Sequence, residues 1–208
     1  MLPDAIKNFI ALFAKLPGIG PRQANRLAFH VLRKGNASIA DLANVIGKLT
    51  QLQTCSQCFF PFEPNRAHNE SKDLSQRLCH ICNNPNRKQN VIAIIEKETD
   101  LLSLEKTKRF NGRYLVLGEL AKDGILETDQ KMRLNYLKST IAKQFGTAEE
   151  IIIALNPSTI GDIEANLIVQ ELKPVTKKIS RLGRGLPTGG EIEFADEDTL
   201  TGALDNRK

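Results

Sequence analysis

The chain has 208 residues, 41% of them hydrophobic, no Trp, and a formal charge of +5 at pH 7. That length holds one or two compact domains, and the apolar runs, such as Val91–Ile95, are far too short to span a bilayer as a helix. Met1-Leu-Pro-Asp4 lacks both the basic and the apolar region of an export signal, so the expected location is the cytoplasm. The charge is uneven. Residues 1–54 hold seven basic and two acidic side chains, 55–90 hold five and three, and 91–208 hold seventeen and nineteen. A basic head on a slightly acidic body suits a polyanionic partner, and equally a plain solvated surface.

Ile6, Phe9, Ile10, Phe13 and Leu16 recur at three- and four-residue steps, which predicts a first helix. Leu16-Pro-Gly-Ile-Gly-Pro21 breaks it, and Pro21 suits the first turn of a second helix that buries Ala24, Leu27, Ala28, Val31 and Leu32. A third is predicted from near Ser38, with Asp41 completing a capping box and Leu42, Val45, Ile46 and Leu49 buried. The first turn is the informative part. Gly18 and Gly20 remove Cβ atoms where the backbone comes close to something, and the N–H groups that open the next helix suit a phosphate. At 100° per residue, Arg22, Arg26 and Arg33 form a stripe about 40° wide that begins at this point. Turn and stripe together can grip a nucleic-acid backbone without touching a base edge, so binding is expected to ignore sequence and weaken with salt. The alternative is a helical hairpin used only for packing, its arginines in solvent.

Cys55-Ser-Gln-Cys58 and Cys79-His-Ile-Cys82, twenty residues apart, use every cysteine in the chain. Two such pairs make a closed tetrahedral thiolate cage for one structural Zn²⁺, with no open position for catalysis. A redox role would need one pair only, and two disulfides would want an oxidising compartment. His68 and His80 are alternative donors that four thiolates do not require.

Asn83–Asn90 reads as a polar connector, after which strand and helix signals alternate. Strands are predicted at Val91–Ile95, Tyr114–Gly118, Ile151–Leu155 and Lys178–Leu182, with helices at Thr99–Lys108, Gln130–Gln144 and Asp162–Leu172 between them. Such alternation predicts an α/β fold with a parallel sheet whose strands end along one functional edge, here at Glu96, Gly118-Glu119 and Asn156-Pro157. Tyr114 and Tyr136 fall in a strand and a helix as packing residues. In the tail, Gly189-Gly190 marks a turn, and Ile192 and Phe194 alternate with Glu191 and Glu193 as an edge strand would. A phosphate loop fails there for want of a G-K-[ST] ending.

Leu16–Leu32, L-P-G-I-G-P-R-Q-A-N-R-L-A-F-H-V-L, with a four-cysteine element directly after it, resembles the helix–hairpin–helix of the bacterial RecR family of recombination mediators. The resemblance covers almost the whole chain. It implies a helix–hairpin–helix region at 1–54, a zinc finger at 55–82, a connector at 83–90, a Toprim-like domain at 91–183 and an oligomerisation tail at 184–208. It also implies DNA contact by the positions matching Arg22 and Arg26, RecO-like and RecF-like partners, and a dimer or tetrameric ring. Toprim enzymes hold Mg²⁺ with a glutamate after the first strand and an Asp-x-Asp pair after a later one. Glu96 fits, but Asn156 and Ser158 stand where the aspartates should, as in RecR-like proteins, which implies a scaffold without catalysis. Asp162 and Glu164 are left nearby for weak metal or partner binding, and Ile160-Gly161-Asp162 replaces the family's usual Glu-Gly-Glu. The competing reading is a Mg²⁺-dependent nuclease or primase using Glu96, Asp162 and Glu164. An RNA-binding zinc ribbon ranks last, since no basic face carries interleaved aromatics.

Overall fold

In the computed structural model, which describes residues 2–64, 77–121 and 123–207, the apolar spacing at the start of the chain becomes helix α1, Asp4–Phe13. Helix α2 spans Pro21–Lys34 and α3 spans Asn36–Lys48. These elements make the first of two units, Met1–Leu52, and the second is Gln53–Lys208. Within the first unit, Phe9 stacks on Phe13 with ring centroids 3.9 Å apart, and Ala24 and Ala28 are buried on α2.

Two expectations for this unit need correction. Helix α3 starts at Asn36 directly after Gly35, whose φ of +85° makes the bend, so Ser38 is inside the helix and is not its cap. The α3 face is also not buried: Leu42, Val45, Ile46 and Leu49 are 47–62% exposed, and Leu16 and Leu32 are close to half exposed. A unit of about fifty residues has one thin layer and no second layer to cover that face.

In the second unit, β1 (Gln53–Thr54) and β2 (Pro61–Phe62) form a short antiparallel hairpin. Then follow β3 (Val91–Ile95), α4 (Glu98–Lys106), β4 (Arg113–Val116), α5 (Thr128–Gln144), β5 (Glu150–Ala154), α6 (Thr159–Leu172) and β6 (Ile179–Arg181). The four longer strands pair parallel in the order β4-β3-β5-β6. The runs of β3, β4 and β5 are largely buried on both faces, as a parallel sheet with flanking helices requires, while β6 at the edge is only half-buried. One face packs Ile92, Ile94, Ile151 and Ile153 with Leu134 and Ile141 of α5 and Ile168 of α6. The other packs Ala93, Ile95, Tyr114 and Val116 with Leu101 of α4 and all four cysteines. The first strand is central and its neighbours lie on either side of it, so the crevice between the carboxyl ends of β3 and β5 is the switch point of the sheet.

The tail departs from expectation. Ile192–Phe194 is a single 3₁₀ turn rather than an edge strand, with Ile192 68% and Phe194 78% exposed. Period-two alternation over four residues has no strand edge to join there. Helix α7, Glu197–Asp205, follows, with the Asp196 carboxylate accepting the Thr199 N–H at 2.8 Å as its cap. Gly202 lies against Arg184, where a Cβ would come within 2.9 Å of the arginine Cβ.

Candidate nucleic-acid interface, metal centre and sheet edge

Between α1 and α2 the chain turns through Gly18, whose φ of +75° suits only a residue without a Cβ, and Gly20, which precedes the first turn of α2. An added Cβ at either glycine would meet nothing within 4 Å. At Gly20, therefore, no packing among the described residues demands glycine. Pro21 opens α2 and no side chain caps it, so its first-turn N–H groups face outward with the positive end of the helix dipole. Arg22, Arg26 and Arg33 are all exposed, and no ion pair among the described residues engages them. The turn and the stripe thus form one open, cationic surface.

The second constellation is the cysteine cluster. The four Sγ atoms lie within 4.8 Å of one another, and every cysteine is buried. Cys58 and Cys79 sulfurs are 3.5 Å apart, close to the roughly 3.8 Å edge of a tetrahedron with metal–sulfur bonds of ~2.3 Å. The local backbone builds this cage. Cys55 N–H bonds the Phe60 carbonyl at 2.9 Å and Phe59 N–H bonds the Cys55 carbonyl at 3.0 Å, while Asn83 N–H closes the second loop onto Cys79 at 3.0 Å. Neighbouring thiols, Cys58 foremost, hold Cys55 far below the ordinary thiol range, and Cys55 foremost pushes Cys58 and Cys82 far above it. Four sulfurs this close share negative charge badly without a cation among them. The donor set therefore fits a structural metal, and no other such group of ligands occurs among the described residues. His80 is exposed and outside the cage; His68 lies outside the described residues.

The cage is docked on the edge strand of the sheet by contacts that sequence reading did not find. Val116 N–H donates to the Cys58 carbonyl at 2.9 Å. The Phe59 ring, on a residue with φ of +63°, has the Arg133 guanidinium 4.9 Å above it and Tyr136 edge-on at 5.9 Å. Arg113, only 5% exposed, donates to the side-chain oxygens of Gln57, Gln89 and Gln144, tying finger, connector and α5 together. Tyr114 is buried with its hydroxyl donating to Glu105 at 2.7 Å. Burial first, and then the Glu105 carboxylate, drives that phenol far above its usual range, which fits packing and not nucleophilic attack.

At the switch point, Glu96 is 6% exposed. Asn156 Nδ2 donates to its Oε2 at 2.6 Å, and Lys97 Nζ lies 3.2 Å from Oε1. An amide thus meets one oxygen of Glu96 where a second carboxylate was expected, and the Lys97 ammonium meets the other. Gly161 fixes this arrangement, because a Cβ there would fall 2.2 Å from the Asn156 carbonyl oxygen. The other two acids of the predicted set are not gathered here. Asp162 bonds Arg181 at 2.5 Å and also Arg184; burial opposes its charge, but the two guanidinium groups hold it below the usual carboxylate range. Glu164 is fully buried, with Oε1 accepting the Ala121 N–H at 3.1 Å. Among the described residues, the ligand atoms gathered closely enough to hold one metal ion are those of the four cysteines, and Glu96, Asp162 and Glu164 are not grouped in that way.

Comparison with known proteins places these parts in one context. Residues 6–49 match the family described as RecR, helix-hairpin-helix, residues 90–183 the Toprim domain, and residues 185–208 RecR, C-terminal. Recombination protein RecR of Clostridium perfringens is 36% identical over 208 residues, covering 99% of this chain and 96% of that protein. The chain belongs to the RecR family. Recombination protein RecR of Acidothermus cellulolyticus is likewise 36% identical, over 211 residues and 98% of its length. That of Trichormus variabilis is 36% identical over 197 residues and 97% of its length. Family membership carries a role in DNA recombination and repair, and the four-cysteine cluster supports metal binding in the finger between the two matched regions. Among the described residues no helix is long and apolar enough to cross a membrane.

Proposed function

We propose that this chain is a DNA-binding mediator of recombinational repair that performs no reaction itself. It works with a RecO-like partner first, and a RecF-like one as a further candidate, to load recombinase onto single-stranded DNA in the cytoplasm. The observation that carries this reading is the open turn at Gly18–Pro21 with Arg22, Arg26 and Arg33 exposed behind it. Phosphates bind to the turn and the guanidinium groups extend the grip along the backbone, so register on DNA is fixed without sequence readout. The four cysteines hold one structural Zn²⁺; thiolate donors favour it, and a closed set of four leaves no position for substrate. Its part is to fix the finger against β4.

Absence of catalysis is supported at the sheet edge by Asn156, whose amide donates to Glu96 where Mg²⁺ chemistry would want a second anion. A homo-oligomer, dimer or tetrameric ring, is supported by the uncovered Leu42, Val45, Ile46 and Leu49 face and by exposed Ile192 and Phe194. Several copies on one duplex make each further contact effectively intramolecular, which a single small hairpin needs for useful affinity. The test is a nicking and primer-synthesis assay with Mg²⁺ or Mn²⁺, run beside a DNA-binding and partner pull-down assay. Binding without turnover supports the mediator. Metal-dependent turnover abolished by Glu96→Ala would replace it with the nuclease or primase reading.

A further inference from the structure

Phe29 stands apart from the other apolar side chains of α2. It is 38% exposed, whereas Ala24 and Ala28, on the packed side of the helix, are 0% and 4% exposed. At 100° per residue Phe29 projects about 100–140° away from those two alanines and only about 20–60° from Arg22, Arg33 and Arg26. Arg26 comes three residues before it and Arg33 four after, so a guanidinium group neighbours the ring one turn away on either side. Leu32, also exposed, lies about 60° further round, on the side away from the arginines. The expectation that no basic face carries an aromatic therefore does not hold on α2.

Nothing inside the first unit accounts for a ring in that place. Among the described residues no second aromatic ring stacks on Phe29 and no guanidinium lies over it. Phenylalanine is also a poorer helix former than alanine, so an outward position on α2 gains nothing locally. A stripe that met phosphates alone would need cations and no aromatic. In a duplex the bases are stacked on one another and offer no face to a side chain outside. A single strand offers both groups, phosphates to the arginines and an open base face to the ring, and such sites combine a cationic track with an aromatic platform.

We propose that Phe29 is a stacking platform for one unpaired base, which makes the outer face of α2 a site for single-stranded DNA and not for duplex backbone alone. The inference rests on the DNA-binding reading above and names the form of DNA that this surface takes. Arg26 and Arg33 hold phosphates on either side of the stacked nucleotide, and Arg22 leads the strand toward the Gly18–Pro21 turn. Every base has a π-face, so stacking adds affinity for single strands while binding stays independent of sequence.

The chain has no Trp, so Phe29→Trp in the full-length protein places a single indole at the site. Oligo-deoxythymidylate should quench its emission by stacking, and a blunt duplex should not. In anisotropy titrations of the full-length proteins, Phe29→Ala and Phe29→Leu should weaken binding to oligo-deoxythymidylate by about 5- to 150-fold, with duplex affinity and the salt slope unchanged, while Phe29→Tyr binds as the wild type does. An unquenched indole, Phe29→Leu binding single strands like the wild type, or tighter binding to oligouridylate than to oligo-deoxythymidylate would overturn the proposal. So would a changed oligomeric mass of Phe29→Ala in light scattering, by making the ring a contact between copies. A wild-type protein that binds neither form of DNA would sink the DNA-binding reading as well, whereas duplex binding with Phe29→Ala silent on single strands would sink this inference alone.

Discussion

Replacing Arg22 and Arg26 with alanine removes two of the three guanidinium groups behind the Gly18–Gly20 turn. Both side chains are exposed and none of the ion pairs seen involves them, so the fold itself loses little. Alanine favours the helix, and surface changes of this kind stay within about 0.5 kcal/mol. DNA binding should change in a specific way. Each phosphate contact on duplex DNA contributes about −0.9 to the slope of log K against log salt, so losing two flattens the slope by about 1.8 for each engaged protomer. Over a fourfold rise in salt, the wild type then loses about twelvefold more affinity than the variant for each protomer on the duplex. Two engaged protomers would double the slope difference, so the same titration reports how many copies hold the DNA. Fluorescence anisotropy with a labelled duplex across salt, beside a thermal melt, reads both quantities. Unchanged slope with weaker binding would refute phosphate contact by these arginines, and loss of folded protein would mean the stripe is a packing face.

Cys58→Ser should abolish stoichiometric zinc and lower the melting temperature sharply, because structural zinc contributes about 10–16 kcal/mol to small sites; metal analysis with calorimetry checks it, and equal melting without zinc would count against a structural cage. Gly161→Ala should destabilise by about 1–3 kcal/mol by pressing a Cβ onto the Asn156 carbonyl, and a denaturant curve with an unmoved midpoint would show that the first turn of α6 gives way freely. Asp162, held low by Arg184 and Arg181 against some burial, should make stability fall as pH drops through its folded value. Its side chain is 38% exposed, so the effect should be small, and Asp162→Asn should remove that part of the acid dependence. Identical acid melts for the two proteins would sever the link.

Much of the fold can be read from apolar spacing because most of its core is local in pattern. Val91–Ile95 is an unbroken β-branched run and is a central strand with those bounds. The helices around it differ from expectation by one to three residues at their starts, where caps such as Ser158, which accepts the Gly161 N–H, draw the boundary outward. The cysteine cage was legible because its chemistry is encoded in spacing. Periodicity misleads where burial depends on something beyond the element: α3 has the heptad-like face of a buried helix, yet Val45 is 60% exposed, since nothing in its unit covers it. Long-range polar pairs were not legible at all. Asn156 with Glu96 spans sixty residues and Arg113 with Gln57 fifty-six, and neither leaves a local signal. Asp162 and Glu164, two residues apart on one helix, take different partners, the first Arg181 and Arg184 and the second the Ala121 N–H.

The most direct test of a phosphate grip without chemistry is amide chemical-shift mapping of the full-length protein with duplex DNA and Mg²⁺ present. The largest shifts are expected at Gly18–Arg26, with Glu96, Gly118 and Asn156 unmoved and the DNA intact. Shifts centred on Glu96 and Asn156, with cut strands in the tube, would contradict it.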